Sequence, residues 1–152
     1  MTSNPDFKDL LNLLNRCEAR HLVVGGYAVM LCTEPRYTKG LDIWIDATPQ
    51  NAARVCRAFA EFGAPLAGIG VEEFGKADLI YQLGVPPSRI DVLTSISGVN
   101  FEDAWPRRVE SDLDDVRASF ISIEHLIENK KSRRRLADLV DCEVLEKAKD
   151  LL

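Results

Sequence analysis

The chain has 152 residues, 46% hydrophobic and 28% charged, which is ordinary composition for a globular domain. Its formal net charge of −5 argues against a broadly basic surface for nonspecific nucleic-acid binding, while leaving room for a local basic patch. No apolar run is long enough to span a bilayer, so no membrane partner is expected. We expect residues 1–152 to form a single domain.

The cysteines are scattered rather than grouped in pairs, at Cys17, Cys32, Cys56 and Cys142. No C-x-x-C pair and no neighbouring histidine indicates a zinc site. Three of the four lie among apolar positions of predicted helices, where buried free thiols are the simplest interpretation. Reduced thiols, together with an N-terminus that lacks the pattern of a signal peptide, predict a cytoplasmic location.

Capping residues, glycine stops and hydrophobic periodicity predict the elements of the first half of the chain. A first helix is expected from Asn4-Pro5 to about Arg20, followed by a strand from His21 to Val24. The remaining predicted elements are a double-glycine turn at Gly25-Gly26, a brief helix from Tyr27 to Thr33, a strand from Leu41 to Asp46, a helix from Thr48-Pro49 to Phe62, and a helical turn near Val71 to Phe74.

The pattern of the second half of the sequence predicts a hairpin and further helices. The expected elements are strands from Leu79 to Gly84 and from Arg89 to Leu93, a short helix from Phe101 to Val109, an acidic loop from Glu110 to Asp115, a strand from Val116 to Ile121, a helix from Ser122 to about Lys131, and a last helix from Leu136 to Leu151. This order predicts one mixed α/β domain with helices at both ends.

Three residue patterns suggest phosphate chemistry. Glycines such as Gly25-Gly26 at a strand end let a backbone approach a phosphate closely, although a plain tight turn explains the pair alone. Asp42 lies on the next strand, and its carboxylate is suited to hold a divalent metal over that phosphate. Asp91 is a second strand-borne carboxylate between apolar neighbours, and it faces either a polar site or the solvent at a sheet edge.

Three strings together resemble the nucleotidyltransferase superfamily: Gly25 through Val29, Arg36 through Ile43, and Arg89 through Leu93. The closer resemblance is to small bacterial domains of the minimal-nucleotidyltransferase and AbiEii-toxin-like type. The resemblance implies a small mixed sheet flanked by helices and a nucleoside triphosphate as substrate. It also implies Mg²⁺ as cofactor and transfer of a nucleoside monophosphate to a hydroxyl on a protein, an RNA or a small molecule.

In the family pattern, the glycine turn cradles the triphosphate, and an Asp-x-Asp or Asp-x-Glu pair binds two magnesium ions. A third carboxylate activates the acceptor hydroxyl. By this resemblance, Gly25 and Gly26 match the nucleotide-binding turn, Asp42 the second carboxylate of the pair, and Asp91 the third. Asp42 and Asp91 are therefore the catalytic and metal-binding candidates.

The first carboxylate of the pair is missing, because Gly40 stands two residues before Asp42. Asp46 is a poor replacement, since four residues along a strand span about 13 Å. Magnesium–oxygen bonds of about 2 Å cannot bridge that distance. We therefore expect a weak metal site and impaired transfer, because the mechanism depends on metal-stabilised charge.

Lys130, with Asp138 and Asp141, resembles later lysine and aspartate motifs of the family, which makes Lys130 a nucleotide-binding candidate. A solvated basic helix end is the simpler explanation of this lysine, and the aspartates have Arg134 and Arg135 as alternative partners.

Other residues also have two interpretations. The polar loop residues Arg36, Thr38 and Lys39 either line the mouth of a pocket or are simply exposed to solvent. Trp44 either stacks on a base or packs beneath a helix.

Three functional hypotheses follow. The leading one is a nucleotidyltransferase-superfamily protein that binds a nucleoside triphosphate and has an impaired transfer centre. The second is a non-catalytic interaction module, such as a toxin–antitoxin component. The third is an active transferase that recruits another carboxylate to the metal site.

Overall fold

One mixed sheet organises the computed structural model, which describes residues 4–152. Its strands are β1 (His21–Val24), β2 (Gly40–Ile45), β3 (Ile80–Leu83), β4 (Arg89–Leu93), β5 (Val109–Leu113) and β6 (Val116–Phe120). They lie in the order β3-β4-β2-β1-β6-β5. β1 pairs antiparallel with β2 and parallel with β6, and β2 pairs parallel with β4. The hairpins β3–β4 and β5–β6 form the two edges.

The helices flank this sheet in two contacting groups. They are α1 (Pro5–Arg16), α2 (Gly25–Cys32), α3 (Pro49–Phe62), α4 (Val71–Phe74), α5 (Phe101–Ala104), α6 (Ile123–Arg133) and α7 (Leu136–Asp150), with a 3-10 turn at Trp105–Arg107. α3 contacts α1 and α4, whereas α2, α6 and α7 contact one another. Within residues 4–152, no helix combines the length and apolar character needed to cross a bilayer. The predicted mixed sheet flanked by helices is confirmed.

Side-chain caps set the starts of α1, α3 and α6. The Asn4 side chain accepts hydrogen bonds from the first turn of α1, and Thr48 and Ser122 cap α3 and α6 in the same way. α3 ends at Gly63, which is left-handed, as predicted. The predicted end of α1 at Arg20 was wrong. Glu18 has a φ of 56°, and this left-handed residue turns the chain into β1 after Arg16.

The apolar core lies on both sides of β2. Leu41, Ile43 and Ile45 are fully buried, and Trp44 on the other face is 2% exposed. Trp44 meets Phe101 edge to face, with ring centroids 5.0 Å apart, so the packing interpretation of this tryptophan is the correct one.

Three predicted segments differ in the structure. The helix expected from Phe101 to Val109 is shorter, since α5 ends at Ala104, a 3-10 turn follows, and Val109 begins β5. Residues 110–115 were expected to form an acidic loop, but Val109–Leu113 is the edge strand β5. Its charged side chains are compatible with a strand because most of them face solvent, and charges on an edge strand oppose further strand pairing. The separate turn predicted at Gly25-Gly26 does not exist either, since both glycines form the first turn of α2.

The four cysteines are free thiols, as expected. Their burial was predicted less well. Cys142 is buried, while Cys17, Cys32 and Cys56 are only partly buried. Burial raises the pKa of the Cys142 thiol, which favours the protonated form.

The buried His21 makes stability depend on pH. Its Nδ1 lies 2.8 Å from the Ala19 carbonyl oxygen and donates to it, whereas Nε2 has no partner among the residues described. Burial lowers the pKa of His21 below 6.5, although the bond to Ala19 opposes this shift. As pH falls through 6.5, the unfolded chain therefore takes up a proton before the folded chain does.

We expect the free energy of unfolding to include a His21 contribution that is lost below this point, by at most about 1.4 kcal/mol per pH unit. Urea denaturation between pH 7.5 and 5 should show a shallower pH dependence for His21→Gln than for the unaltered protein. Superimposable pH profiles for the two proteins would contradict this assignment.

Candidate functional site

The parallel pairing of β2 with β4 brings the two candidate carboxylates together. In this register, Asp42 lies beside Asp91, and Gly40 lies beside Arg89. Because side chains alternate along a strand, positions 40, 42, 89 and 91 face the same side of the sheet. The two predicted catalytic residues are therefore neighbours, and Arg89 is added to them.

The glycines at the start of α2 leave room for side chains from the β2 region. Gly25 has a φ of 66°, and a Cβ there would overlap the carboxylate of Asp42. A Cβ on Gly26 would come within 2.7 Å of the Thr38 hydroxyl. Asp42 therefore lies against the N-terminus of α2, where unpaired backbone N–H groups favour negative charge.

Gly40 is glycine for a steric reason. A Cβ at this position would overlap the carbonyl oxygen of Arg89, because the two backbones meet closely where β2 pairs with β4. The Thr38 hydroxyl donates a hydrogen bond to the carbonyl oxygen of Gly40 at 3.0 Å, and this bond fixes the backbone of Gly40 from the preceding loop. An aspartate at position 40 would require the two strands to separate.

Arg89 forms an ion pair with the carboxylate of Asp91. Its Nη2 donates to Oδ2 at 3.1 Å, and its Nε lies 3.0 Å from Oδ1. Oδ1 is buried and makes no well-directed hydrogen bond, so the contact at that atom is mainly electrostatic. A guanidinium and a carboxylate in this forked arrangement neutralise each other and fix their mutual orientation.

Asp42 is a partly buried acid with an altered affinity for protons. Burial and the neighbouring charge of Asp91 raise the pKa of Asp42 to about 6, although Arg89 and Lys130 oppose the shift. In its protonated form Asp42 can donate a hydrogen bond to Asp91. The pair therefore holds less negative charge than two isolated carboxylates would.

Lys130 is not a solvated helix end. It is 5% exposed, and its Nζ lies 3.6 Å from Asp138 Oδ1 and 3.2 Å from Asp141 Oδ2. Arg36 also donates to Asp141, at 2.6 Å and 3.2 Å, and Arg135 donates to Asp138 at 2.8 Å. These buried contacts join α6, α7 and the loop before β2.

The two buried aspartates are stabilised as anions. Burial by itself raises the pKa of Asp138, but the hydrogen bond from Arg135 and the charge of Lys130 outweigh it and lower the pKa. Burial likewise opposes ionisation of Asp141, and the hydrogen bonds from Arg36 and Lys130 lower its pKa. Both carboxylates are therefore charged near neutral pH, and they hold the side chains of Arg36, Lys130 and Arg135 in place.

A cleft of about 430 Å³ contains the predicted nucleotide-binding residues Gly25, Gly26 and Lys130 together with both candidate carboxylates. Its cationic lining residues are Arg36, Lys39, Arg89, Lys130, Arg133 and Arg135. Six cations against Asp42 and Asp91 give this lining a formal charge of +4. The buried anions Asp138 and Asp141, which pair with four of these cations, reduce it to +2, within a chain whose net charge is −5. Of the two interpretations of Arg36, Thr38 and Lys39, the structure agrees with the first, since all three line this cleft. The cleft is suited to a polyanion.

A second cleft of about 320 Å³ opens on the other side of the carboxylates and shares Gly25, Asp42, Asp91 and Arg133 with the first. Its other lining residues are Val24, Ile80, Gln82, Leu93, Ser95, Ile96, Ser97 and Asn129. Apolar and uncharged polar groups dominate this surface. A phosphate in the first cleft and an uncharged group in the second would thus both face the Asp42–Asp91 pair.

The donor set does not fit a two-ion magnesium site. Asp42 and Asp91 are adjacent, but both oxygens of Asp91 face Arg89, and position 40 has neither a carboxylate nor space for one. Asp46 lies in a separate depression beside Trp44. No group of three or more His, Cys, Asp or Glu residues suited to a metal occurs in the described part of the chain.

Comparison with known proteins finds solved structures of similar architecture. No protein-family model matches the sequence, and no curated protein matches it either. The crystal structure of the lincosamide antibiotic adenylyltransferase LnuA, bound to lincomycin, superposes with a TM-score of 0.57 and 16% identity. The match covers 97% of this chain and 98% of that chain.

The chain has a nucleotidyltransferase-like fold. At this level of identity the likeness concerns the fold alone. The narrower resemblance to minimal nucleotidyltransferases and AbiEii-type toxins stays a prediction.

Arg89 is the site residue to which sequence reasoning gave no role. A signal for it exists, because it stands two residues before Asp91 in the same strand and must share its face. The second cleft was also missed. It depends on residues from β3, from the segment after β4 and from α6, which the sequence alone does not bring together.

The buried position of Lys130 leads to a prediction about stability. Lys130→Met should lower the free energy of unfolding by about 3 kcal/mol, because it leaves buried carboxylates with one cation fewer. Lys131→Met is the matched control, since Lys131 is exposed and pairs with Glu146 at the surface. Its expected cost is below about 1 kcal/mol. Equal urea midpoints for the two variants would refute the buried network.

The contact at Gly40 leads to a second prediction. Gly40→Asp should lower the free energy of unfolding by about 1–3 kcal/mol or more, because the added side chain enters a filled space. Gly70→Asp provides a control, since the nearest atom to a Cβ there is 3.7 Å away. Thermal unfolding should show a lower Tm for the first variant only. A Gly40→Asp variant as stable as the unaltered protein would show that position 40 has room for a carboxylate.

Proposed function

We propose that this protein binds a nucleoside triphosphate in the cationic cleft and has a nucleotidyl-transfer centre of severely reduced activity. The reaction of that centre is transfer of a nucleoside monophosphate to a hydroxyl acceptor. The observation that carries the proposal is the meeting of Asp42 and Asp91 at the edge of a cleft that six cationic side chains line. The nucleotidyltransferase-like fold supports it.

The cleft offers a triphosphate several kinds of contact. The guanidinium groups supply forked donors that match phosphate oxygens, and lysine supplies a point charge. Lys130 and Arg36 are held in place from behind by Asp138 and Asp141, so little side-chain freedom is lost when an anion binds. The N-terminus of α2 adds partial positive charge beside Gly25.

The small number of carboxylates at the site is the reason for the proposed reduction in nucleotidyl transfer. In the family pattern the two-ion arrangement uses three carboxylates, and among residues 4–152 only Asp42 and Asp91 meet at this place. A magnesium ion at this pair would have to displace Arg89 from Asp91, so its binding is weak. Such an ion would supply Lewis-acid stabilisation of the phosphates when bound. The residues themselves orient the triphosphate and place the Asp42 carboxylate between the two clefts.

The other hypotheses make different predictions. A non-catalytic interaction module, including a toxin–antitoxin component, would have no need of the cleft and would bind no nucleotide. An active transferase with a recruited carboxylate requires a third acid near Asp42, and the described residues contain no such group. The acceptor is a hydroxyl on a protein, an RNA or a small molecule, and lincomycin is one compound to test because LnuA binds it.

Calorimetric titration with ATP, CTP, GTP and UTP in magnesium buffer tests the binding proposal. At least one nucleotide should bind, and Lys39→Glu should weaken its binding about tenfold or more, because it reverses one charge in the cleft. Lys147→Glu is the control, since Lys147 is exposed on α7 and does not line the cleft. If none of the four nucleotides binds, the interaction module becomes the better explanation.

Transfer is measured separately, with labelled nucleotide and lysate protein, tRNA and lincomycin as acceptors. Incorporation by the unaltered protein should stay close to background. Strong incorporation that Asp42→Ala abolishes and Asp46→Ala preserves would overturn the impaired centre while leaving nucleotide binding intact.

A further inference from the structure

We infer that the cleft binds the polyphosphate of its nucleotide without a divalent metal ion, with Arg89 supplying the positive charge beside the two carboxylates. This inference rests on the proposed nucleotide binding and goes beyond it, because it assigns the role of the missing ion to a residue of the chain itself.

The first observation is the position of Arg89 relative to Gly40. The two residues are register partners on β4 and β2, and their side chains would project on the face that carries Asp42 and Asp91. Position 40 has neither a side chain nor space for one, so β2 supplies no carboxylate there to compete for Arg89. The guanidinium pairs with Asp91.

The second observation concerns the competition for Asp91. A magnesium ion prefers near-octahedral coordination by hard oxygen atoms and requires a free carboxylate. Both Asp91 oxygens already lie about 3 Å from guanidinium nitrogens. An ion at this place would also face the positive charge of Arg89 directly, which raises its electrostatic cost. The local geometry thus favours the resident cation.

The third observation is that the neighbouring cations face the same cleft. Lys130, Arg133 and Arg135 come from the α6–α7 corner, and Arg36 and Lys39 come from the loop before β2. Together with Arg89 they surround the volume in which a triphosphate would lie. Guanidinium groups are weakly hydrated and bind phosphate in a forked geometry, so they can balance its charge directly.

The test compares the binding of ATP, CTP, GTP and UTP in excess EDTA with their binding in magnesium buffer, by calorimetry on the unaltered protein. We expect dissociation constants that agree within about threefold, and competition by inorganic tripolyphosphate in EDTA. Arg89→Gln should weaken binding in EDTA about tenfold or more, as expected for loss of a charge-assisted contact. Arg117→Gln serves as the control, because Arg117 is an exposed arginine on β6 outside the cleft.

The outcomes separate the two proposals. Binding in magnesium that falls tenfold or more in EDTA would overturn this inference and leave the proposed function standing. Binding in EDTA that Arg89→Gln does not change would also overturn it. Absence of binding by all four nucleotides in both buffers would overturn the proposed function itself. The comparison of EDTA with magnesium needs no variant, so it decides the matter even where Arg89→Gln does not fold.

Discussion

The close approach of β2 and β4 at Gly40 is the contact on which the site depends. Because no side chain intervenes, the backbone of Arg89 lies directly against Gly40, and the parallel register sets Asp42 beside Asp91. The same contact leaves no space for a carboxylate at position 40. Assembly of the two carboxylates and loss of the third therefore have one structural cause.

Two buried aspartates hold cationic side chains of the cleft in position. Asp138 and Asp141 are nearly inaccessible to solvent, yet both remain anionic because cations surround them. Ion pairs of this kind contribute little net stability, since desolvation offsets most of the attraction. Their effect is positional: they fix Arg36 and Lys130 at the cleft wall before any ligand arrives. A cleft that is preorganised in this way needs little rearrangement to bind an anion.

Much of the fold was predictable because its signals are local. Caps at Asn4 and Thr48 and the stop at Gly63 lie next to the residues that they affect. The strand β5 was missed because its burial pattern is that of a charged sheet edge, and only pairing with β6 identifies it. For the site, the residue types were predictable and their relations were not. Asp42 lies beside Asp91 because β2 pairs with β4. Lys130 is buried in an ion pair with Asp141 because α6 packs against α7.

A magnesium site and an arginine site place opposite requirements on neighbouring carboxylates. Carboxylates hold the metal, but without metal each of them repels a phosphate, so removing one weakens ion binding and also reduces that repulsion. In this chain, glycine at position 40 removes one negative charge, and Arg89 neutralises Asp91. Both features change the local potential in the same direction, toward direct binding of a phosphate by the protein.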